Sequence, residues 1–398
     1  MNRIAPLSAP AAPIMTREDV RRRAGDLIPA LRERAAEAEN LRRCPDATIA
    51  DYVASDLLAV CMPARYGGSE LPYDIYCDAV HTLARGDASQ AWVYMVLADN
   101  ALKLTSFSKQ AQDEVWGKDP RARLSNAVAP VGKGKPVDGG VLWSGRHGFS
   151  SGVDHAQWVM CAGHIEHADG RRQGVNVLVP RSDITIVDDW QVMGLSGSGS
   201  KTFVVDGAFV PEHRIVDKEA SDAGEVPGLE GYDAPVFHMP RGGISTCSYT
   251  AVAVGAAEAM LEEYLRYTSP RKSRGTVVAE QTGTQMVVGQ SSAEIEAATR
   301  MYLSPVREAM EKMERGETVS RAEVLHGRRN AAYAAQLAIT ATQRLFNAAG
   351  GRALYNDSPL QRIFRDCYAA SAHHALMWDT AAAGYGRILL GVKGSSAH

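Results

Sequence analysis

The sequence predicts an α+β fold, mainly α, in which a β-rich region separates two helical regions. In residues 16–120, and again from residue 241 to the end, apolar side chains recur at the three- and four-residue spacing of helices. Between these regions, residues 121–216 contain short β-branched and aromatic runs separated by Gly, Asp and Ser. We therefore expect an N-terminal helical domain, a middle domain built on an antiparallel β-sheet and a C-terminal helical bundle, with these boundaries: 1–120, 121–235 and 236–398.

The N-terminal region has the pattern of several amphipathic helices. The segment TREDVRRRAGDLIPALRERAAEAENLRR opens with Thr16, a good helix cap, and carries acidic residues early, where they favour a helix start. Two segments of the same periodicity follow, DATIADYVASDLLAV and LPYDIYCDAVHTLARGDASQAWVYMVLADNAL. Between them, CMPARYGGSE contains a Pro and two Gly, which predict a turn.

The middle region has the pattern of a small antiparallel sheet or barrel. Within it, a β-branched run and not a helix follows the glycines of MGLSGSGSKTFVVDGAFVP, so this stretch is neither a Rossmann nor a P-loop fingerprint. We predict a loop that joins two strands, with serines and Lys201 able to donate hydrogen bonds to a ligand. The polar stretch VDKEASDAGEVPGLEGYDAP, which follows the last strand, is predicted to be a loop.

The C-terminal region contains three segments long enough for bundle helices, TAVAVGAAEAMLEEYLRYT, SSAEIEAATRMYLSPVREAMEKMERG and SRAEVLHGRRNAAYAAQLAITATQRLFNAAG. A fourth segment, RIFRDCYAASAHHALMWD, is rich in Ala and free of Pro and Gly, which predicts one continuous helix. On such a helix His373 and His374 point in different directions. Each is either a catalytic group or a packed polar residue.

Composition and charge limit the function classes. Apolar residues make up 45% of the chain and charged residues 22%, and the net charge of −3 gives no indication of a nucleic-acid or membrane surface. No apolar run approaches the length of a membrane span, and six cysteines without a CxxC pair favour reduced thiols in a cytoplasmic protein. His164, Glu166 and His167 lie at a predicted hairpin tip without an evident further ligand, so we expect no metal site.

Five stretches, in this order, resemble the acyl-CoA dehydrogenase fold: ARYGGSEL, WSGRHGFSSGVDHAQWV, MGLSGSGSKTFVVDGAFVPEHR, RGTVVAEQTGTQ and FNAAGGRALYNDSPLQRIFRD. The resemblance implies that the C-terminal domain is a four-helix bundle. In the commonest dehydrogenases a glutamate base follows the Asp of the RD pair by eight residues, and here that position is His374. The details are more similar to the flavin-dependent monooxygenases of this fold, the oxygenase components of two-component systems that act on phenols, 3-HSA and dibenzothiophene-type compounds.

The resemblance implies a monooxygenase that hydroxylates a small phenolic or indolic substrate through a flavin C4a-hydroperoxide. It implies reduced FMN or FAD and O₂ as reactants, with a separate NAD(P)H:flavin reductase as partner, since no nicotinamide fingerprint occurs in the sequence. It also implies a homo-oligomer, at least a dimer and usually a tetramer in this fold.

Two other functions remain open. One is a dehydrogenase-like, oxidase-like or N-hydroxylating flavoenzyme, for which the candidate bases are Glu258, Glu262 and Glu263. The other is a non-catalytic relative that binds a flavin or an acyl ligand, because a fold alone does not establish catalysis.

The resemblance also implies roles for individual residues at the flavin ring. His374 is the catalytic candidate, and His373 is interpreted as a packing residue. Ser151 is the favoured hydroxyl beside flavin N5, with Ser150 as its neighbour, and Ser125 with the NAVAP backbone borders the isoalloxazine. The structural alternatives are a core histidine and hairpin serines that bond their own backbone.

The resemblance places further residues around the ligands. Arg274 and Gln285 are predicted at the flavin's phosphate end, reaching from a neighbouring subunit, where an arginine fork suits phosphate geometry. Trp92 lies on the helix that is predicted to cover the substrate pocket, and it is either a substrate-binding residue or a core residue. Asn100, eight residues later, occupies a position where many aromatic hydroxylases of this family carry a His, which leaves acid–base help from this helix open.

Overall fold

The N-terminal helices form as predicted and begin at a stabilised cap. The computed structural model describes residues 15–273 and 275–392. The Thr16 side chain accepts a hydrogen bond from the Asp19 N–H at 3.1 Å, and the Asp19 carboxylate accepts from the Thr16 N–H at 3.0 Å, which makes a capping box. The helices of this region are α1 (Arg17–Leu41), α2 (Asp46–Ala54), α3 (Tyr73–Ala84), α4 (Ala88–Leu104) and α5 (Lys109–Trp116).

Seven strands form one sheet: β1 (Leu124–Val137), β2 (Gly140–Ser150), β3 (Trp158–Glu166), β4 (Arg172–Pro180), β5 (Ile184–Val187), β6 (Lys201–Pro211) and β7 (Ile215–Asp217). Their order is β5-β6-β2-β1-β3-β4-β7, and all neighbouring pairs except β1–β3 are antiparallel. The predicted antiparallel sheet is confirmed with that one exception. The pair β1–β3 is parallel because β2 returns the chain to the start of β1, where Trp158 pairs with Leu124.

The first strand contains an irregularity next to the site described below. The register of β1 against β3 breaks between Ala127 and Gly132, and residues 128–131 pair with neither β2 nor β3 and are exposed. Gly132 is needed beyond this break, because a Cβ there would lie 2.1 Å from the Trp143 ring. The strand therefore leaves the sheet's ladder shortly after Ser125.

Three short helices lead from the sheet to the C-terminal region: α6 (Lys218–Ala223), α7 (Pro235–His238) and α8 (Arg241–Ile244). The helix α6 lies in the segment predicted to be a loop, so that prediction is wrong there. The Asp217 side chain accepts a hydrogen bond from the Ala220 N–H at 3.0 Å and caps this helix.

Four long helices confirm the predicted bundle: α9 (Thr246–Thr268), α10 (Thr282–Glu314), α11 (Arg321–Ala349) and α12 (Pro359–Ser371). The helix α9 packs against the other three, and a last helix, α13 (Trp378–Leu389), packs on α11. A short antiparallel pair, β8 (Lys272–Ser273) and β9 (Thr276–Val277), lies between α9 and α10.

The predicted continuous helix through His373 and His374 is wrong. The helix α12 ends before His373, whose backbone is extended (φ −61°, ψ 137°), and the next three residues form a single 3₁₀ turn. Two contacts of His373 explain the break. Its Nδ1 accepts a hydrogen bond from the Ala375 N–H at 3.3 Å, and its ring stacks on Tyr249 of α9 with centroids 4.0 Å apart. Burial of the ring outweighs the helix propensity of the alanines.

The helical regions share a large hydrophobic core, the C-terminal helices have a smaller one around Tyr264, and the sheet has a core of its own. The large core contains side chains of the N-terminal helices and of the bundle, such as Leu83 and Ala253, and the core of the sheet surrounds Trp143 and Phe203. The domain boundaries after residues 120 and 235 stay a prediction. Within the described part of the chain, no helix is both long and apolar enough to cross a membrane.

Candidate active site

Five buried serines meet where β1, β2 and the loop before β6 come together, and we call them the serine cluster: Ser125, Ser150, Ser151, Ser198 and Ser200. Ser125 Oγ donates to the Ser151 carbonyl at 2.8 Å and lies 2.7 Å from Ser150 Oγ, which therefore donates to it. Ser200 Oγ lies 2.7 Å from both Ser151 Oγ and Ser198 Oγ. The three serines predicted from the sequence are thus brought together, and the glycine-rich loop supplies two more.

Three aromatic rings pack beside the serine cluster, and we call Trp92, Tyr249 and His373 the aromatic group. The Trp92 Nε1–H donates to Ser151 Oγ at 2.9 Å. The Trp92 ring centroid lies 5.5 Å from that of Tyr249 and 5.6 Å from that of His373. One hydrogen bond therefore joins a polar and an aromatic half into a single site. Sequence reasoning selected Trp92, interpreted His373 as packing and missed Tyr249, which belongs to no motif.

His373 is a neutral hydrogen-bond donor. Burial, with smaller contributions from His374 and Lys103, lowers the pKa of His373 to about 3. Because its Nδ1 accepts the Ala375 N–H, the single ring proton is assigned to Nε2. Burial also raises the pKa of Tyr249, which keeps its phenol protonated. The aromatic group therefore carries no charge and offers an N–H and an O–H.

His374 lies beside the aromatic group and is exposed. Its ring centroid is 4.3 Å from that of His373, and the contact with Trp92 is made by His373. The assignment of His374 as the catalytic histidine stays a prediction. The orientation expected for His374 assumed a continuous helix. Because α12 ends before His373, the two rings do not have the orientations that a helix would give them.

Asn100 attaches α4 to the start of β1. Its Nδ2 donates to the Leu124 carbonyl at 2.9 Å, whereas its buried Oδ1 has no hydrogen-bond partner among the described residues. A buried amide oxygen without a partner destabilises the fold, so it is suited to accept a hydrogen bond from a ligand. The substrate-binding role of Asn100 stays a prediction.

The chain is similar to known proteins over most of its length. Residues 13–119 match the family Acyl-CoA dehydrogenase, N-terminal domain, and residues 247–378 match Acyl-CoA dehydrogenase, C-terminal domain. The oxygenase subunit HsaA of a flavin-dependent monooxygenase from Rhodococcus jostii strain RHA1 is 35% identical over 353 residues, which are 88% of this chain and 92% of that protein. The oxygenase component of p-hydroxyphenylacetate 3-hydroxylase from Acinetobacter baumannii is 33% identical over 371 residues, which are 92% and 88% of the two chains.

A solved structure agrees with these similarities. The crystal structure of 3-HSA hydroxylase from Rhodococcus sp. RHA1 has a TM-score of 0.91 at 34% identity and covers 95% of this chain and 98% of that one. The chain belongs to the flavin-dependent monooxygenases of the acyl-CoA dehydrogenase fold. It is an oxygenase component, and it uses reduced flavin and O₂. The predicted fold class, family, enzyme class and cofactors are confirmed.

The monooxygenase has surfaces beside the serine cluster that fit a flavin ring. Residues 128–131 leave the ladder of β1 with exposed side chains, and Phe149, which precedes Ser150, is 80% exposed and has a left-handed backbone (φ 59°). Exposed apolar groups thus follow Ser125 on β1 and precede Ser150 on β2. A flat ring with apolar faces and a polar edge needs this combination. The residues present therefore fit the cofactor of the family.

Arg274 and Gln285 are the residues predicted at the flavin phosphate of the monooxygenase, and no contact of either with the serine cluster or the aromatic group is observed among the described residues. Arg274 lies outside the described residues. Gln285 is exposed at the start of α10, where its Nε2 donates to the Ala279 carbonyl at 3.2 Å. Their phosphate contacts from a neighbouring subunit stay a prediction.

The carboxylates considered as dehydrogenase bases are engaged in ion pairs in this monooxygenase. Glu258 contacts His81 Nε2 at 2.6 Å, and Glu262 contacts Arg85 at 2.6 Å. Glu263 is paired with an arginine of its own helix. Each of these carboxylates is thus held by a basic partner of its own, which leaves the dehydrogenase alternative without a free base among them.

The histidines at the β3–β4 hairpin make ordinary polar contacts. His164 Nε2 lies 3.0 Å from Glu166, and His167 Nε2 lies 3.1 Å from Gln173. In residues 15–273 and 275–392, no group of three or more His, Cys, Asp or Glu side chains is arranged to hold a metal ion.

Proposed function

We propose that this monooxygenase hydroxylates a small phenolic or indolic compound with reduced FMN or FAD that a separate NAD(P)H:flavin reductase supplies. The observation that carries the proposal is the 2.9 Å hydrogen bond from Trp92 to Ser151, which joins an aromatic group to a cluster of buried hydroxyls. The similar Acinetobacter baumannii protein is named for the hydroxylation of a phenol, p-hydroxyphenylacetate, which supports the same substrate class.

Ser151 is the residue best arranged to hold the flavin's polar edge. Reduced flavin, when bound, activates O₂ for the transfer of one oxygen atom to an aromatic ring. Ser151 Oγ accepts a hydrogen bond from the Trp92 N–H, and Ser200 Oγ lies 2.7 Å from it. When the Ser200 hydroxyl donates to Ser151 Oγ, the Ser151 hydroxyl is free to donate its own proton to a ligand. Ser125 and Ser150 support this hydroxyl through the Ser151 carbonyl.

We propose that the substrate ring lies against the aromatic group and that His373 donates its Nε2–H to a substrate oxygen. This revises the expectation that His373 only packs. His374 remains a second candidate for the catalytic histidine, because its exposed ring adjoins that of His373. Trp92 and Asn100 remain the proposed substrate-binding residues of α4.

We also propose that the active form is a homo-oligomer, which is at least a dimer and can be a tetramer. Met286, next to Gln285, is 68% exposed, and Leu389 and Leu390 at the end of α13 are 70% and 80% exposed. Large apolar side chains at such exposure favour burial by another copy. In that assembly Arg274 and Gln285 would reach the phosphate end of a neighbour's flavin.

A cytoplasmic location completes the proposal. All six cysteines are free and buried in the structure. Free thiols are typical of proteins from a reducing compartment, which supports this location.

The function is tested by combining the purified chain with NADH, a flavin reductase and either FMN or FAD, and by screening phenols and indoles under ¹⁸O₂. We expect one labelled oxygen in the hydroxylated product and product formation only when the chain and the reductase are both present. Consumption of NADH that yields only hydrogen peroxide with every phenol and indole would contradict the proposal.

A further inference from the structure

We propose that Asp366 is a positioning residue whose buried carboxylate clamps together the three segments that carry the serine cluster, Trp92 and His373. This proposal rests on the proposed function only in assigning flavin and substrate contacts to these segments. Asp366 lies on α12 and is 3% exposed. Its Oδ1 accepts the Leu195 N–H at 2.7 Å, and its Oδ2 accepts the Ser89 hydroxyl at 3.2 Å. One side chain thus bonds the glycine-rich loop and α4 to the bundle.

Each clamped segment leads directly into the site. Leu195 begins the turn that ends in Ser198 and Ser200, the two loop members of the serine cluster. Ser89 lies one helical turn before Trp92 on α4, and residues three apart share a helix face. Asp366 itself lies on the last turns of α12, and this helix ends shortly before the extended residue His373.

The clamped loop is packed so closely that it has little freedom to adjust. A Cβ at Gly194 would lie 2.2 Å from the Arg365 carbonyl, and one at Gly197 would lie 2.8 Å from Ala38 Cβ of α1. Leu195 has a left-handed backbone (φ 56°), which is unfavourable for a residue with a side chain. The hydrogen bond from Leu195 N–H to a carboxylate offsets this strain. Arg365 adds a second link, donating to the Met193 carbonyl at 2.5 Å.

The clamp depends on an oxygen acceptor at this position, because both groups that contact Asp366 are donors. A buried charge carries a desolvation cost, and burial together with the nearby Asp87 raises the pKa of Asp366. Arg365 of α12 is a further charge near it and pairs with Glu39 of α1 at 2.5 Å, while Arg362 and Glu39 act on Asp87. An apolar residue could fill the space but could not accept the two hydrogen bonds.

The clamp is tested first by amide hydrogen exchange in the flavin-free protein. In Asp366→Ala we expect the amides of residues 193–200 and 372–377 to exchange about tenfold faster or more, because the buried Leu195 N–H loses its acceptor. Asp366→Asn should restore slow exchange, since its Oδ1 accepts from Leu195. Unchanged exchange in Asp366→Ala would overturn the proposal. If that variant does not fold, Ser89→Ala removes only the bond to α4, and unchanged exchange of the α4 amides next to Ser89 would overturn that half of the clamp.

Asp74→Ala is the matched control. Asp74 is 1% exposed and also joins helices, since it accepts from Arg17 of α1 at 2.7 Å and lies 3.5 Å from Arg307 of α10. We expect it to lower the free energy of unfolding without faster exchange in residues 193–200 and 372–377. If it gives the same local pattern as Asp366→Ala, the effect is general destabilisation and the positioning role is wrong.

A second measurement connects the clamp to the reaction. We expect the yield of hydroxylated product per NADH to fall about tenfold in Asp366→Ala and to recover largely in Asp366→Asn, while Asp74→Ala matches the unmodified chain. If the unmodified chain gives no product, the proposed function fails, and the exchange data still decide the clamp. If it hydroxylates but Asp366→Ala keeps full yield, only the positioning role fails.

Discussion

The serine cluster and the aromatic group lie side by side, yet the chain builds them in different ways. Ser125, Ser150 and Ser151 lie at the start of β1 and the end of β2, and the pairing of β2 with the start of β6 brings the loop serines alongside. The aromatic group takes one ring each from α4, α9 and the segment after α12. The polar half therefore follows from local strand order, and the aromatic half from long-range packing.

This difference predicts where single substitutions have large effects. A hydroxyl of the serine cluster is one of several neighbours that share hydrogen bonds. Each ring of the aromatic group, in contrast, contacts the other two, and it has no substitute when removed. Changes in the aromatic half should therefore cost more stability, and changes in the polar half should show mainly in the reaction.

Trp92→Ala should have the largest effect, because it removes a buried ring and the direct hydrogen bond between the two halves. We expect the free energy of unfolding to fall by about 3–5 kcal/mol, measured by urea denaturation. Product per NADH should fall to near zero. Trp92→Phe is the control, since it keeps a ring but loses the Nε1–H, and it should recover most of the stability and little of the yield. Full yield in Trp92→Phe would show that the hydrogen bond to Ser151 is not needed.

Ser151→Ala and Ser150→Ala form the next test, because they delete the same atoms from neighbouring positions. Each should lower the free energy of unfolding by about 1 kcal/mol. Only Ser151→Ala should reduce product per NADH, by about tenfold to a hundredfold, since its hydroxyl is the one that we propose contacts the flavin. The opposite order of yields would assign the ligand contact to Ser150.

The partly buried imidazole of His373 predicts a pH dependence of stability. The pKa of His373 is lowered from 6.5 to about 3, so the unfolded chain binds a proton that the folded chain does not. This contribution is complete above pH 6.5 and is lost as the pH falls toward 3. We expect His373→Phe to remove about 1–2 kcal/mol of the difference in unfolding free energy between pH 7 and pH 5. His374→Phe, the exposed neighbour, should leave that difference unchanged, and equal effects of both would contradict the assignment.

The smallest effect on folding is expected outside both halves, at Gln285. Gln285→Ala should change the unfolding free energy by less than about 0.5 kcal/mol, because the side chain is exposed. If it reaches a neighbour's flavin, the concentration of reduced flavin needed for half-maximal rate should rise several-fold. Gln290→Ala, a second exposed glutamine of α10, is the control. Identical flavin dependence in the two variants would remove Gln285 from the cofactor site.

The same comparison explains how much could be predicted from the sequence. The order of helical and β regions and the strand-to-strand nature of the glycine-rich loop follow from local periodicity, the four-helix bundle follows from the resemblance, and all three are confirmed. The helix α6 and the parallel pair β1–β3 were missed, since an Asp cap and a strand's choice of partner have weak signals in one sequence.

For the site, the resemblance selected Ser125, Ser150, Ser151 and Trp92, and these residues do meet. Tyr249 could not be found, because it becomes part of the site only through the packing of α9. The helix break at His373 was missed for the same reason. The alanines around it favour a helix, and only the stack on Tyr249 reverses that preference.

The most direct test of the account is the yield of hydroxylated product per NADH in His373→Ala and His374→Ala, measured with the same reductase, flavin and phenol. If hydroxylation takes place at the junction of the serine cluster and the aromatic group, His373→Ala should lose about a hundredfold in yield. His374→Ala should then remain within about threefold of the unmodified chain. Full yield in His373→Ala, with the loss in His374→Ala instead, would contradict the account and place the reaction on the exposed side of this segment.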